Sequence, residues 1–270
     1  VLVLSWVAAL VACVCYGSAS VLQSVGAKRV AGATGAGGVA LIVTQGPYLL
    51  GLGADAVAFV GNVVALQRLP LFLVQSILAG SVGVTALIAT LRGQRLTRRD
   101  WVLLGVLGAG LVLVSATAAV ESAVAISAGA AWVIFGSSLL TVVVGLVGLR
   151  LRGRGRWVTF AAAAGLGFSG VAIASRGISA DAVDWSLLAS PLAWTIAVQG
   201  VLALGCFALA LQCGPVTTIT AVTFVIEMVI PGGVGLLIFG DTVRPGWGGA
   251  TALGFALAVV GTVGLARYAE

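Results

Sequence analysis

The chain is poor in charge and has no histidine. Of its 270 residues, only 8% are Asp, Glu, Lys or Arg, where a soluble domain carries roughly 25%. With 60% hydrophobic residues it cannot solvate its whole surface, so an integral membrane protein is implied. The absence of histidine excludes His-based catalytic triads and His-ligated metals. Cysteine is also scarce. Cys13, Cys15, Cys206 and Cys213 lie in or beside apolar runs without zinc or redox spacing, which suits small buried hydrophobes. No Gly-rich loop ending in Lys-Ser or Lys-Thr occurs, so ATP hydrolysis is not indicated. No nucleophile–base pair or metal-ligand set stands out, so neither an enzyme nor a cofactor is expected. The net charge of +6 comes from basic residues in short loops between apolar runs. That pattern signals topology and not a nucleic-acid site.

What the chain does have is long apolar runs. Nine reach the length a helix needs to cross the hydrocarbon core, about 20 residues: residues 1–25, 48–66, 69–91, 101–120, 122–149, 157–175, 187–211, 216–239 and 247–266. The first has the length of a secretory leader, but no soluble domain follows it, and it is read as a spanning helix. A shorter apolar piece, 39–43, lies between a glycine-rich stretch and Gly46-Pro47 and is read as interfacial or re-entrant. With nine spans, one side of the membrane receives eleven Lys and Arg and the other receives only Arg68, Arg176 and Arg244. A tenth span over 30–50 would weaken that division to nine against five. Because cytoplasmic loops hold the excess of positive charge, the N-terminus is expected outside and the C-terminus inside, in a bacterial cytoplasmic membrane. Trp101, Trp157, Trp185 and Trp247 flank spans and read as interfacial anchors, while Trp6, Trp132 and Trp194 lie deeper.

Two segments resemble each other, 65–101 and 210–247. Both begin Ala-Leu-Gln-x-x-Pro, run through an apolar span to a glycine and a short polar loop, and reach a Trp that opens the next span. The copies begin five spans apart and so cross the membrane in opposite senses. Inverted repeats of this kind are a feature of transporters, in which two halves exchange conformations around a central site. The expected fold is therefore all-α: a polytopic bundle of about nine transmembrane helices in two inverted-topology halves, residues 1–120 and 121–270.

These segments resemble the drug/metabolite transporter (EamA-like) superfamily, in which each half carries a Pro-led helix, a Gly-x-x-Leu-type loop and a closing helix rich in Trp and Gly. The nine-span count is similar to the NIPA-like magnesium transporter branch. So are "GSASVLQSVGAKR" at 17–29 and "GADAVAF" at 53–59. The resemblance implies an alternating-access transporter. Its substrate would be a small metabolite or organic cation, or magnesium if the nine-span branch is the guide.

The intramembrane polar groups are the candidate site. Glu227 is the twelfth residue of a 24-residue apolar run, near the midplane, where a charge costs roughly 2.5 kcal/mol or more. An acid kept there serves either as a protonatable coupling group or as a cation ligand. Thr220 and Thr223, seven and four residues earlier, share its helical face. Pro231, Gly232 and Gly233 follow about one turn later and are expected to loosen or break the helix as a hinge. Asp55 is the second acid, read as nearer the inner side, with Asn62 on the same face. It could instead pair with Lys28 or Arg29. Gln75 adds a neutral donor and acceptor. Under the magnesium reading Asp55 and Glu227 would be the metal ligands, which requires one shared cavity. Two rival functions remain: a lipid-linked substrate translocase, using a sideways-open groove with Arg68 or Arg176 at the headgroup, and a non-transporting membrane subunit. The expected partners are a small-molecule or ion substrate and the bilayer, with a homodimer as a further option and no nucleic acid.

Overall fold

The structure is a computed structural model that describes residues 2–30, 41–91, 97–117, 127–178 and 189–268. Every regular element among them is a helix. In chain order these are α1 (Leu2–Arg29), α2 (Gly46–Leu66), α3 (Leu71–Ala79), α4 (Ser81–Leu91), α5 (Arg98–Thr117) and α6 (Ala128–Gly136). They continue with α7 (Ser138–Arg150), α8 (Gly153–Gly177), α9 (Pro191–Cys213), α10 (Val216–Leu237) and α11 (Gly248–Tyr268). A helix satisfies its own backbone hydrogen bonds, which is what a hydrocarbon environment demands. Among the described residues, eight helical segments are long and apolar enough to cross a bilayer, α3–α4 and α6–α7 each forming one interrupted span. The protein is thus an integral membrane helix bundle. The ninth run forms α11, whose apolar stretch, Gly248–Gly264, is shorter than a full span. Of the 39–43 piece, residues 39 and 40 lie outside the described residues; of the rest, Ile42 is buried while Leu41 and Val43 are exposed.

Helix starts follow the prolines. Pro70 and Pro215 occupy the N-cap positions of α3 and α10, and Pro191 opens α9. At these places the missing N–H leaves no intrahelical bond unmade. The interruptions follow Gly and Ser. The α3–α4 span is interrupted at Gly80, and α6 gives way to α7 at Ser137. The Ser137 hydroxyl donates to the Ile134 carbonyl at 2.6 Å and accepts from Gln199 Nε2 at 2.9 Å. Back-bonding of this kind bends helices. The sequence placed the hinge at Pro231-Gly232-Gly233, yet α10 continues through Pro231 to Leu237.

α3 is the centre of the bundle, all nine of its residues being buried. Around it pack α1, α5 and α10, joining Phe72, Leu73, Ile77, Phe224 and Met228 in one core. A second core gathers Trp157, Phe160, Phe207, Leu211 and Ile219 from α8, α9 and α10. The most extensive helix pairs are α1 with α2, α8 with α9, and α5 with α11. Small residues let backbones approach, as is usual in membrane bundles. A Cβ on Gly17 would stand 2.6 Å from Val84 Cβ and 2.7 Å from the Ser81 carbonyl oxygen. A Cβ on Gly165 would stand 2.8 Å from Ile226 Cβ and 2.8 Å from the Thr223 carbonyl oxygen. The contact of α1 with α4 is therefore of the same kind as that of α8 with α10.

One polar junction crosses the bundle. Arg176, at the end of α8, is fully buried and pairs with Asp241 at 3.0 Å. Its other terminal nitrogen donates to the Leu66 and Leu69 carbonyls. The second Asp241 oxygen accepts from the Leu71 backbone N–H at 2.7 Å, capping α3. Arg176 is thus consumed within the protein and cannot serve as the outward headgroup ligand expected under the translocase reading. Trp157 is also relocated: it is buried against Gly214 and does not anchor at an interface, whereas Trp132 and Trp194 face outward at 61% and 56% exposure.

Candidate functional site

The two intramembrane acids come together. Asp55 is the tenth of the 21 residues of α2, and Glu227 the twelfth of the 22 of α10. Both are at mid-height, so Asp55 is not displaced toward one surface as its position in the apolar run suggested. They line one cavity of about 260 Å³ together with Tyr16 of α1, Asn62 of α2, Phe168 of α8 and Ile196 of α9. A smaller chamber of about 30 Å³ adjoins it, again lined by both acids, with Tyr16, Ser20 and Thr223. That volume exceeds what one water molecule needs, roughly 10–15 Å³ on this measure.

Helical spacing builds the chamber. Tyr16, Ser20 and Gln23 succeed one another at four and three residues along α1 and form a polar stripe, the first two lining the small chamber and Gln23 reaching Asp55. Asp55, Phe59 and Asn62 repeat the spacing on α2, and Thr220, Thr223 and Glu227 run along α10. Gln23 Nε2 donates to Asp55 Oδ2. This bond fixes the Asp55 carboxylate and takes the place of the Lys28 or Arg29 partner considered from sequence, as both cations are exposed at the end of α1. Glu227 is only 6% exposed and has no hydrogen-bond or ion-pair partner among the described residues. A buried carboxyl without a partner is costly unless a proton or a cationic guest balances it.

The remaining sequence candidates divide. Asn62 lines the main cavity and Thr223 the small one, where the Thr223 hydroxyl also donates to the Ala161 carbonyl at 3.2 Å. Thr220 is buried with its hydroxyl unpaired and lines neither cavity. Gln75 is buried in the α3 core, also away from both, with both amide atoms unpaired. Gly232 packs against Phe255 and Phe72, while Gly233 has open space beside it. Tyr16, Gln23, Phe59 and Phe168 are site residues that sequence reasoning did not select. For Gln23 a signal was available: an amide on the same helical face as a Tyr and a Ser inside an apolar run.

The walls are otherwise apolar, supplied by Leu52, Ala56, Phe59, Val171, Ile196 and Leu204, and no Lys or Arg lines the cavity. Among the described residues no cluster of three or more His, Cys, Asp or Glu could hold a metal ion. The fold and the chamber define a polytopic helical membrane protein with a paired-acid cavity midway along its helices. No protein-family model, curated protein or solved structure matches the chain.

Proposed function

We propose that this chain is a secondary transporter that carries a small cationic solute by alternating access, as the resemblance to the drug/metabolite transporter superfamily implies. The observation that carries the reading is the convergence of Asp55 and Glu227, from different helices, on one solute-sized cavity at mid-height. A membrane subunit with no solute path has no use for such a chamber, and its acids would pair across an interface instead. In the inverted-repeat reading α1, α2, α3–α4 and α5 correspond to α8, α9, α10 and α11. The like contacts of Gly17 and Gly165, and the Pro-capped starts of α3 and α10, support that correspondence.

Glu227 serves as the exchange site: it holds a proton when the cavity lacks substrate and yields it when a cation binds. Asp55, held by Gln23, is the second ligand. The magnesium alternative has less support. Magnesium prefers several oxygen ligands and retained waters, whereas this cavity offers two carboxylates within mostly apolar walls. A translocase of anionic lipid-linked sugars would bring phosphate against two carboxylates.

The test is Glu227→Gln in proteoliposomes, assayed with a panel of magnesium and organic cations with and without a pH gradient. The variant is expected to fold and insert but to lose transport. Transport by the variant at the wild-type rate would remove Glu227 from the mechanism, and magnesium uptake that exceeds every organic cation would replace the substrate class.

A further inference from the structure

Among the described residues the cavity has a floor and two walls but no fourth side. α1, α8 and α10 form the floor, supplying Tyr16, Phe168, Val171 and Glu227. The walls are α2, with Leu52, Asp55, Ala56, Phe59 and Asn62, and α9, with Ile196, Gly200 and Leu204. α1 packs against both walls, yet α2 and α9 scarcely touch each other. The gap lies at mid-height, since Gly200 is the tenth of the 23 residues of α9 and Asp55 the tenth of the 21 of α2. Ala56 is exposed at its edge, and the residues flanking it, Val57, Val60 and Val201, point outward at 54%, 61% and 72% exposure. In a membrane those outward faces meet acyl chains. The mouth of the cavity therefore opens into the hydrocarbon layer, and an apolar rim leads inward to two carboxyl groups.

We propose that this cleft between α2 and α9 is a lateral port, and that the substrate is a membrane-partitioning amine with N–H donors and an apolar body. The inference rests on the transporter reading above and specifies its substrate class and route. The chemistry of the lining selects the guest. Two carboxyl side chains and no Lys or Arg line the cavity, so it favours a cation. Among the described residues Glu227 has no donor, and the donor to Asp55 is a neutral amide. A guest with ammonium N–H groups therefore meets unused acceptors, and charge-assisted hydrogen bonds of that type are the strong ones. A quaternary ammonium lacks those donors. The rings of Tyr16, Phe59 and Phe168 and the aliphatic walls receive the apolar body, with cation–π attraction added where a ring faces the ammonium. An amine dissolved in the bilayer arrives at the rim already partly desolvated.

The test closes the cleft and follows association. In a background with Cys15, Cys206 and Cys213 replaced by alanine, Ala56→Cys and Gly200→Cys are joined by a disulfide-containing bis-maleimide, in the full chain in lipid nanodiscs. A Cβ at position 200 meets only Val171 Cγ2 at 3.9 Å, so the new side chain has room. The probe is phenethylamine, with tetramethylammonium as the donor-free comparison. Bridging is expected to slow phenethylamine association at least about tenfold, against the narrow spread of on-rates usual among variants of one site, and reduction of the bridge is expected to restore it. If the bridge does not form, Gly200→Phe fills the mouth and is read in the same way. An unchanged association rate in the closed protein would overturn the port. Equal or tighter binding of tetramethylammonium would overturn the N–H donor requirement. Phenethylamine that binds through the cleft but is never transported would leave this inference standing and sink the transporter reading. Transport that is indifferent to the bridge would do the reverse.

Discussion

Removing the Asp241 carboxylate tests how the bundle is tied together. Arg176 and Asp241 both have fully buried side chains and pair at 3.0 Å. The same carboxylate accepts from the Leu71 N–H at 2.7 Å. Asp241→Ala leaves the guanidinium with only the Leu66 and Leu69 carbonyls, its charge uncompensated and its Nε still unpaired. Breaking a buried pair from one side costs about 3–5 kcal/mol. The orphaned Leu71 N–H belongs to the same network, so its loss is contained in that figure and not added to it. Asp241→Asn keeps one acceptor oxygen, so either Leu71 or Arg176 then faces an amide NH2 donor; with the charge also lost, the expected cost is likewise about 3–5 kcal/mol. Replacing both partners, Arg176→Met with Asp241→Leu, removes the stranded charge and should recover most of the stability. The assay is reversible unfolding in mixed micelles of the wild type, both single variants and the double variant. Asp241→Ala within about 1 kcal/mol of wild type, or a double variant as unstable as the worse single one, would refute the reasoning from buried charge.

Two further outcomes follow from packing and from the site. Gly165→Ala would place its Cβ 2.8 Å from Ile226 Cβ and the Thr223 carbonyl, forcing α8 from α10 at a cost of about 1–3 kcal/mol. Gly108→Ala meets nothing within 4 Å and is expected to stay within about 0.5 kcal/mol of wild type; equal melting shifts for the two would show that the close approach is not a constraint. Gln23→Leu removes the donor that fixes Asp55 and is expected to weaken amine affinity about tenfold or more, the worth of one hydrogen bond to a charged group. Calorimetric titration of the folded variant giving wild-type affinity would place Gln23 outside the site.

What was legible in the sequence was whatever depends on local chemistry. Apolar length marked the spans, because a helix in lipid must be about 20 residues of hydrocarbon. Prolines marked the starts of α3 and α10, because a ring without an N–H fits only where no bond is due. Glu227 and Asp55 stood out singly, because an acid in such a run is expensive wherever its partner lies. Their convergence depends on how α2 and α10 are placed around α1, and no spacing along the chain encodes that. Arg176 shows the same limit from the other side. By position it is a loop cation, yet it is fully buried, because Asp241, 65 residues away, supplies the counter-charge. Pro231 shows that a local rule can be overridden. α10 continues through it, while the helices are interrupted at Gly80 and Ser137, where a glycine and a back-bonding hydroxyl weaken the helical ladder. The open side of the cavity is the least local feature of all, since it depends on the near-absence of contact between α2 and α9. A pattern read along one helix reports which face is polar, as the Asp55, Phe59 and Asn62 stripe does. It cannot report that the helix facing that stripe stands too far off to cover it.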